Sequence, residues 1–221
     1  MRFTVITIFP QLIEDYFKEG ILSRALKKKQ VQLKTITPRK FTKDRHQTID
    51  DMPYGGGAGL VMTLPPLVAA IKSLPKLKMK NEKLKNGRRI VLLDPKGKRF
   101  VQKEAKRLSG YEELIFICGR YEGVDERIKY YIDEKLSIGD FVLMGGELGA
   151  LTVMEAVARL LPNVLHHPES AKYESFSDGK TLEHPQYTRP EIFDGHKVPP
   201  VLLSGNHKKI EDWRAKQSKK A

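Results

Sequence analysis

RIVLLD (residues 89–94), ELIFIC (113–118) and SIGDFVLMGGE (137–147) are three predominantly apolar runs, and each is tied to a glycine-bearing loop. The first passes into PKGK and then a helical stretch from Phe100 to Leu108. The second passes into GRYEG and a helical stretch from Val124 to Tyr131, and the third enters a helix from Leu148 to Leu161 that Pro162 closes. Strand, loop and helix in repeated alternation predict a parallel sheet with crossover helices, an α/β fold. Ligands of open α/β sheets gather outside the carboxyl ends of the strands, so these loops mark a candidate pocket. Glycine there admits positive φ or close backbone approach to a ligand, although three ordinary turns would give the same local pattern. GxGxxG and GxxxxGK[ST] are both absent, which removes support for a dinucleotide fold or a phosphate loop.

Working outward, Phe3 to Phe9 reads as a strand, and Leu12, Ile13, Tyr16, Phe17, Ile21, Leu22, Ala25 and Leu26 follow at helical spacing. Val31, Leu33 and Ile36 suggest a second strand. Pro38 to Gly59 is a long polar loop, Pro65 to Leu74 a short helix, and Pro75 to Arg89 a lysine-rich solvated connection or mobile helix. Beyond Pro162 the chain is polar and punctuated by proline. The expected organisation is a domain over residues 1–162, a linker over 163–180 and a small, mostly α-helical module over 181–221.

The 221 residues carry 40 Lys and Arg against 27 Asp and Glu, a net charge of +13, which favours a polyanionic partner. No apolar run approaches the length of a membrane span, and the N-terminus lacks the pattern of a signal peptide, so no membrane association and a cytoplasmic location are expected. The single cysteine, Cys118, ends an apolar run and reads as a small core residue. It excludes an internal disulfide and a multi-cysteine zinc site. His166 and His167 have no ligand spacing around them, so no metal site is read from the residues.

YGGGAG (54–59), CGRYEGVDER (118–127), SIGDFVLMGGEL (137–148), HPQYTRPE (184–191) and VPPVLLSGNH (198–207), in this order, resemble the motifs of bacterial tRNA (guanine-N1)-methyltransferases of the knotted SPOUT class. The resemblance runs from Phe3 to Gln217. It implies a deep trefoil knot that holds S-adenosylmethionine against Leu92, Leu93 and Pro95, then Gly119, Tyr121 and Glu122, then Ser137, Ile138, Gly139, Phe141, Leu143, Gly145 and Gly146. It also implies a homodimer and transfer of a methyl group to the guanosine at position 37 of tRNA, 3′ of the anticodon. Three departures stand out: Asp94-Pro95-Lys96 where the family often has Ser-Pro-Gln, and Gly149 and Ala58 where proline is common. Family members commonly continue past GNHKKIEDWRAKQS (205–218) into further helices, so a truncated C-terminal module is expected.

Methylating N1 of guanine needs positioning and a base for the N1 proton, and a cation near O6 lowers the barrier as charge develops there. By resemblance Arg159 is that cation. The family's base is an aspartate heading DSFxDG, and the aligned residue is Glu174 of ESFSDG, with Asp178 as the alternative. His46, Asp50 and Gly59 match a segment that contacts the target guanosine, and Ser170, His184, Tyr187 and Arg189 match residues that face tRNA. The family's use of magnesium further implies Mg2+, held through water by carboxylates such as Glu122 and Glu174. Two other readings are a tRNA-binding protein that lost catalysis through the aspartate-to-glutamate change, and a related enzyme acting on ribose or rRNA.

Overall fold

The computed structural model describes residues 1–75, 86–166 and 174–220, without the side chain of residue 86. The chain divides into two compact units, Met1–His166 and His167–Ala221. The first unit begins with β1 (Arg2–Ile6), α1 (Pro10–Tyr16), α2 (Gly20–Lys27) and β2 (Gln32–Ile36), and continues through a short antiparallel pair, β3 (Asp50–Asp51) and β4 (Val61–Met62). Then come α3 (Leu64–Lys72), β5 (Asn86–Arg99), α4 (Gln102–Leu108), β6 (Tyr111–Cys118), β7 (Glu134–Ser137) and α5 (Glu147–Ala158). Five strands form one sheet in the order β2-β1-β6-β5-β7, and every neighbouring pair is parallel.

The sheet is covered on both faces, which is why its central strands read as unbroken apolar runs. Side chains alternate across a strand. Leu114, Phe116 and Cys118 therefore join Phe3, Val5 and Val91 in a core shared with α1, α2, α4 and α5. Ile115 and Ile117 face the other way, packing with Ile6, Leu92, Met62, Leu67 and Ile128. On α5, Ala150, Val153, Met154, Val157 and Ala158 are fully buried. Each large side chain among these contributes roughly 1.5–3 kcal/mol of burial, which fixes the helix on the sheet.

Most expected strands and helices of this unit are present, but the expected loop Pro38 to Gly59 contains β3, and the third expected strand ends at Ser137 rather than running through SIGDFVLMGGE. Of the expected connection Pro75 to Arg89, residues 76–85 lie outside the described residues, while Asn86 to Arg89 begin β5. The helical spacing from Leu12 to Leu26 is broken into α1 and α2, and α2 starts at Gly20, whose φ of +63° suits glycine. Val124 to Tyr131 contains only a 3-10 turn, Glu126–Tyr130, whose first turn is capped by the Asp125 side chain accepting from the Arg127 amide. PKGK lies inside β5 rather than after it: Leu93 and Lys98 both pair with Leu136, and the register shift between them leaves Asp94 to Gly97 as an excursion. Gly97 permits this, because a Cβ there would lie 2.5 Å from the Leu136 nitrogen and the Lys135 carbonyl carbon.

The second unit has two antiparallel pairs, β8 (Thr181–Leu182) with β11 (Lys219–Lys220) and β9 (Ile192–Phe193) with β10 (His196–Lys197). Its helices are α6 (Pro200–Leu203) and α7 (His207–Gln217), the latter capped by the Asn206 side chain. None of its described residues is fully buried.

Candidate active site

The excursion within β5 and the carboxyl ends of β6 and β7 open onto one cavity of about 390 Å3, within the range of small-molecule sites. Its walls are the excursion Asp94 to Lys96, the loop Gly119 to Val124, and the loop Leu136 to Gly146. All thirteen residues expected to contact the cofactor line it, from Leu92, Leu93 and Pro95 on the first wall to Gly145 and Gly146 on the third. Backbone can approach a ligand closely because glycines occupy the tight places: a Cβ on Gly146 would lie 2.9 Å from the Cys118 Cα. Phe141, Val142, Leu143 and Met144 stand exposed in succession beside the cavity. Four exposed apolar side chains in a row are unusual on a folded surface and mark a contact region.

A buried network holds the loops in register. Arg120 Nε donates to Glu147 Oε2 at 2.9 Å, Thr7 Oγ1 donates to Glu147 Oε1 at 2.6 Å, and Glu147 is 1% exposed. The Arg120 guanidinium lies 4.6 Å from the Phe9 ring centroid, a cation–π distance, and its Nη1 reaches the Met144 carbonyl. The Gly146 amide donates to the Gly119 carbonyl at 2.9 Å, tying the third loop to the second. Burial, helped by the Glu147 charge and opposed by Arg120, pushes the Cys118 thiol well up, so this cysteine is an inert core residue.

The segment carrying YGGGAG is anchored to the second loop: Glu122 N donates to Leu60 O, and Met62 N to Gly123 O, both at 2.9 Å. Gly59, with φ of +83°, sits against Glu122, where a Cβ would meet the Glu122 side chain at 2.6 Å. Asp50 belongs to β3, and His46 is exposed in the loop before it. That loop is shaped by Asp44, whose carboxylate accepts the Thr48 amide and hydroxyl; these bonds hold it below the usual carboxylate range. Tyr54 is fully exposed at the tip.

Arg159 ends α5 and lines a separate groove with Tyr16, Leu148, Leu151, Thr152, Glu155 and Ala156. Tyr16 donates its hydroxyl to Glu155 across this groove. Tyr16 and Leu148 remain 47% and 62% exposed.

In the second unit Asp178 is held in a tight turn, its carboxylate accepting the Thr181 hydroxyl and the amides of Lys180 and Thr181. The hydroxyl, then the two amides, draw its pKa from 3.8 down to about 2. Glu174 stands at the start of the same turn, its carbonyl accepting the Ser177 amide. His184 and Tyr187 both meet Trp213 edge-on, at 6.4 and 6.2 Å between ring centroids, while Arg189 is exposed. Ser170 lies outside the described residues.

A family model described as tRNA (guanine-1)-methyltransferase TrmD matches residues 1–221. The chain belongs to this family. A tRNA (guanine-N(1)-)-methyltransferase of Clostridium perfringens is 48% identical over 218 residues, covering 99% of this chain and 88% of the relative. A second, of Desulfitobacterium hafniense, is 49% identical over 218 residues, covering 99% and 80%. A third, of Carboxydothermus hydrogenoformans, is 48% identical over 219 residues, covering 99% and 83%.

For this member of the tRNA (guanine-1)-methyltransferase family, two site residues escape a reading of the motifs alone: Arg120 and Glu147. Their signal is a charged residue set among glycines directly after an apolar strand or before an apolar helix. A charge in such a place is buried, and a buried charge demands a partner. Among the described residues no three His, Cys, Asp or Glu side chains gather as a metal site, and no helix is long and apolar enough to cross a membrane.

Proposed function

We propose that this protein transfers the methyl group of S-adenosylmethionine to N1 of guanosine 37 of tRNA, 3′ of the anticodon. One observation carries the reading: in a chain that matches the family along its whole length, every residue assigned to cofactor contact lines the same cavity. The cavity suits the cofactor in chemistry as well as size. Leu93, Ile138 and Phe141 offer apolar surface to an adenine ring, and the glycine-rich loops offer backbone donors and acceptors to its edge. S-adenosylmethionine supplies, when bound, an electrophilic methyl group. The segment from β5 to α5 forms the deep trefoil knot of the SPOUT class, a reading that rests on the family match.

The remaining chemistry falls to side chains of this chain. Glu174 takes the N1 proton. Asp178 is the weaker candidate, because a carboxylate already accepting three hydrogen bonds and titrating near 2 has little basicity left. Arg159 donates to O6 and stabilises the charge that develops there. His46, Asp50 and Gly59 contact the target guanosine, and Ser170, His184, Tyr187 and Arg189 contact the anticodon arm. The protein works as a homodimer in the cytoplasm, with Glu174 acting on the cavity of the other protomer. Leu12, Tyr16 and Leu148, exposed on α1 and α5, support a face covered by a second copy. Mg2+ would be held through water by carboxylates such as Glu122 and Glu174, and neither the proton transfer to Glu174 nor the charge stabilisation by Arg159 is routed through it. The alternative of a tRNA-binding protein without turnover is not favoured.

Methyl transfer to tRNA transcripts carrying guanosine or adenosine at position 37 tests the reading. Incorporation into the guanosine transcript alone supports it, and no incorporation into either overturns it.

A further inference from the structure

Lys135 lies on β7 and joins two segments that line the cavity. Its Nζ is 3.1 Å from Asp94 Oδ2 in the first wall and 2.8 Å from Glu126 Oε2 in the turn that follows the second. Asp94 and Glu126 both line the cavity. The other oxygen of Asp94 accepts the Lys96 amide at 2.9 Å, so the same carboxylate that meets Lys135 also shapes the backbone of the excursion. The Lys135 and Asp94 side chains are each only 20% exposed, which limits screening of that contact, whereas Glu126 at 63% is the looser arm. Both partners raise the Lys135 pKa against the opposing effect of burial, so the ammonium stays charged. Gly97, pressed against the Lys135 and Leu136 backbone, leaves the excursion fixed at its far end. Its near end is fixed by the Asp94–Lys135 contact.

We propose that Lys135 is a positioning residue for cofactor binding: it clamps the first cavity wall to the second through Asp94 and Glu126, without touching the cofactor. The proposal rests on the cofactor reading above. It assigns a task to the carboxylate at position 94, where serine could form the backbone turn but no ion pair. Loosening the clamp costs cofactor affinity, because binding must then order the excursion, while the chemical step at saturating cofactor is untouched.

The test measures S-adenosylmethionine binding by calorimetry and steady-state methylation of a guanosine-37 transcript, using the full chain. K135M and D94S should each raise the Kd and KM for S-adenosylmethionine roughly three- to tenfold, with kcat held. K135R should stay near wild type. The double variant D94S/K135M should lose no more than K135M alone, since K135M already removes the Asp94–Lys135 pair that D94S removes. A wild-type protein that binds no S-adenosylmethionine sinks the cofactor reading itself. Wild-type affinity in D94S and K135M, or additive losses in the double variant, overturns the clamp alone. If K135M fails to fold, D94S and K135R still decide the matter.

Discussion

The Thr181 hydroxyl donates to Asp178 Oδ2 at 2.6 Å while the Lys180 and Thr181 amides occupy Oδ1 at 2.8 and 2.7 Å. This makes Asp178 the organiser of the turn that begins at Glu174, and under the proposed function it leaves the base role to Glu174. E174Q should lower the single-turnover rate by about 10²–10⁴, the usual worth of a general base, with cofactor affinity unchanged. D178N should stay within about tenfold of wild type. E174D, which places the family's aspartate at the position, should keep activity. A dead D178N beside an active E174Q would reverse the assignment.

The sign of the Asp178 shift sets its pH behaviour. Its folded value near 2 lies below the ordinary 3.8, so its hydrogen bonds stabilise the turn at every pH above about 4. That contribution declines as pH falls from about 4 and is gone once pH has passed through about 2. Carboxyl titration by NMR should show Asp178 ionised at pH 3, and D178N should leave the acid limb of the kcat profile where it is.

Arg159 stands apart from the cofactor cavity, in the groove with Tyr16 and Glu155. R159M should therefore lower kcat by about 10²–10³, as for loss of one donor to a developing oxyanion, while leaving calorimetric S-adenosylmethionine binding intact. A matching loss of cofactor affinity would place Arg159 in cofactor binding instead.

Breaking the Arg120–Glu147 pair leaves the Glu147 carboxylate buried without that counter-charge, with the Thr7 hydroxyl still donating to it. R120M should cost roughly 3 kcal/mol, the low end for a buried pair because the Arg120 side chain keeps 21% exposure. Calorimetry should show a Tm lower by about 6–12 °C. An unchanged Tm would mean that the network contributes little.

Gly97 is fixed by space. G97A pushes a methyl group into the Lys135–Leu136 backbone at 2.5 Å and should cost roughly 1–3 kcal/mol or more together with cofactor affinity. A G97A protein of wild-type Tm and affinity would show that the excursion is softer than its packing implies.

Much of the fold was legible because burial writes a strong pattern. LIFIC alternates between two apolar layers, and a strand buried on both faces has no polar positions to mislead the reading. The loops that line the cavity were marked by glycines whose missing side chains are a steric requirement, as at Gly146. What was not legible depended on partners distant in sequence. PKGK reads as a loop until β7 is seen running beside it, and nothing in the motif that carries Arg120 announces its pairing with Glu147, which Thr7 also meets. The helical spacing of Val124 to Tyr131 leaves few residues between the Asp125 cap, which starts the turn, and the beginning of β7 at Glu134, so a single 3-10 turn formed. Asp178 reads as a linker carboxylate, and only the placement of Thr181 reveals it as occupied.

The most direct measurement is nucleoside mass spectrometry on a guanosine-37 tRNA transcript incubated with the protein and S-adenosylmethionine, with the fragment containing position 37 isolated. The expected product is a single base methyl, 1-methylguanosine, at that position and nowhere else. A methyl on ribose, on another nucleotide, or no methyl at all would contradict the assignment.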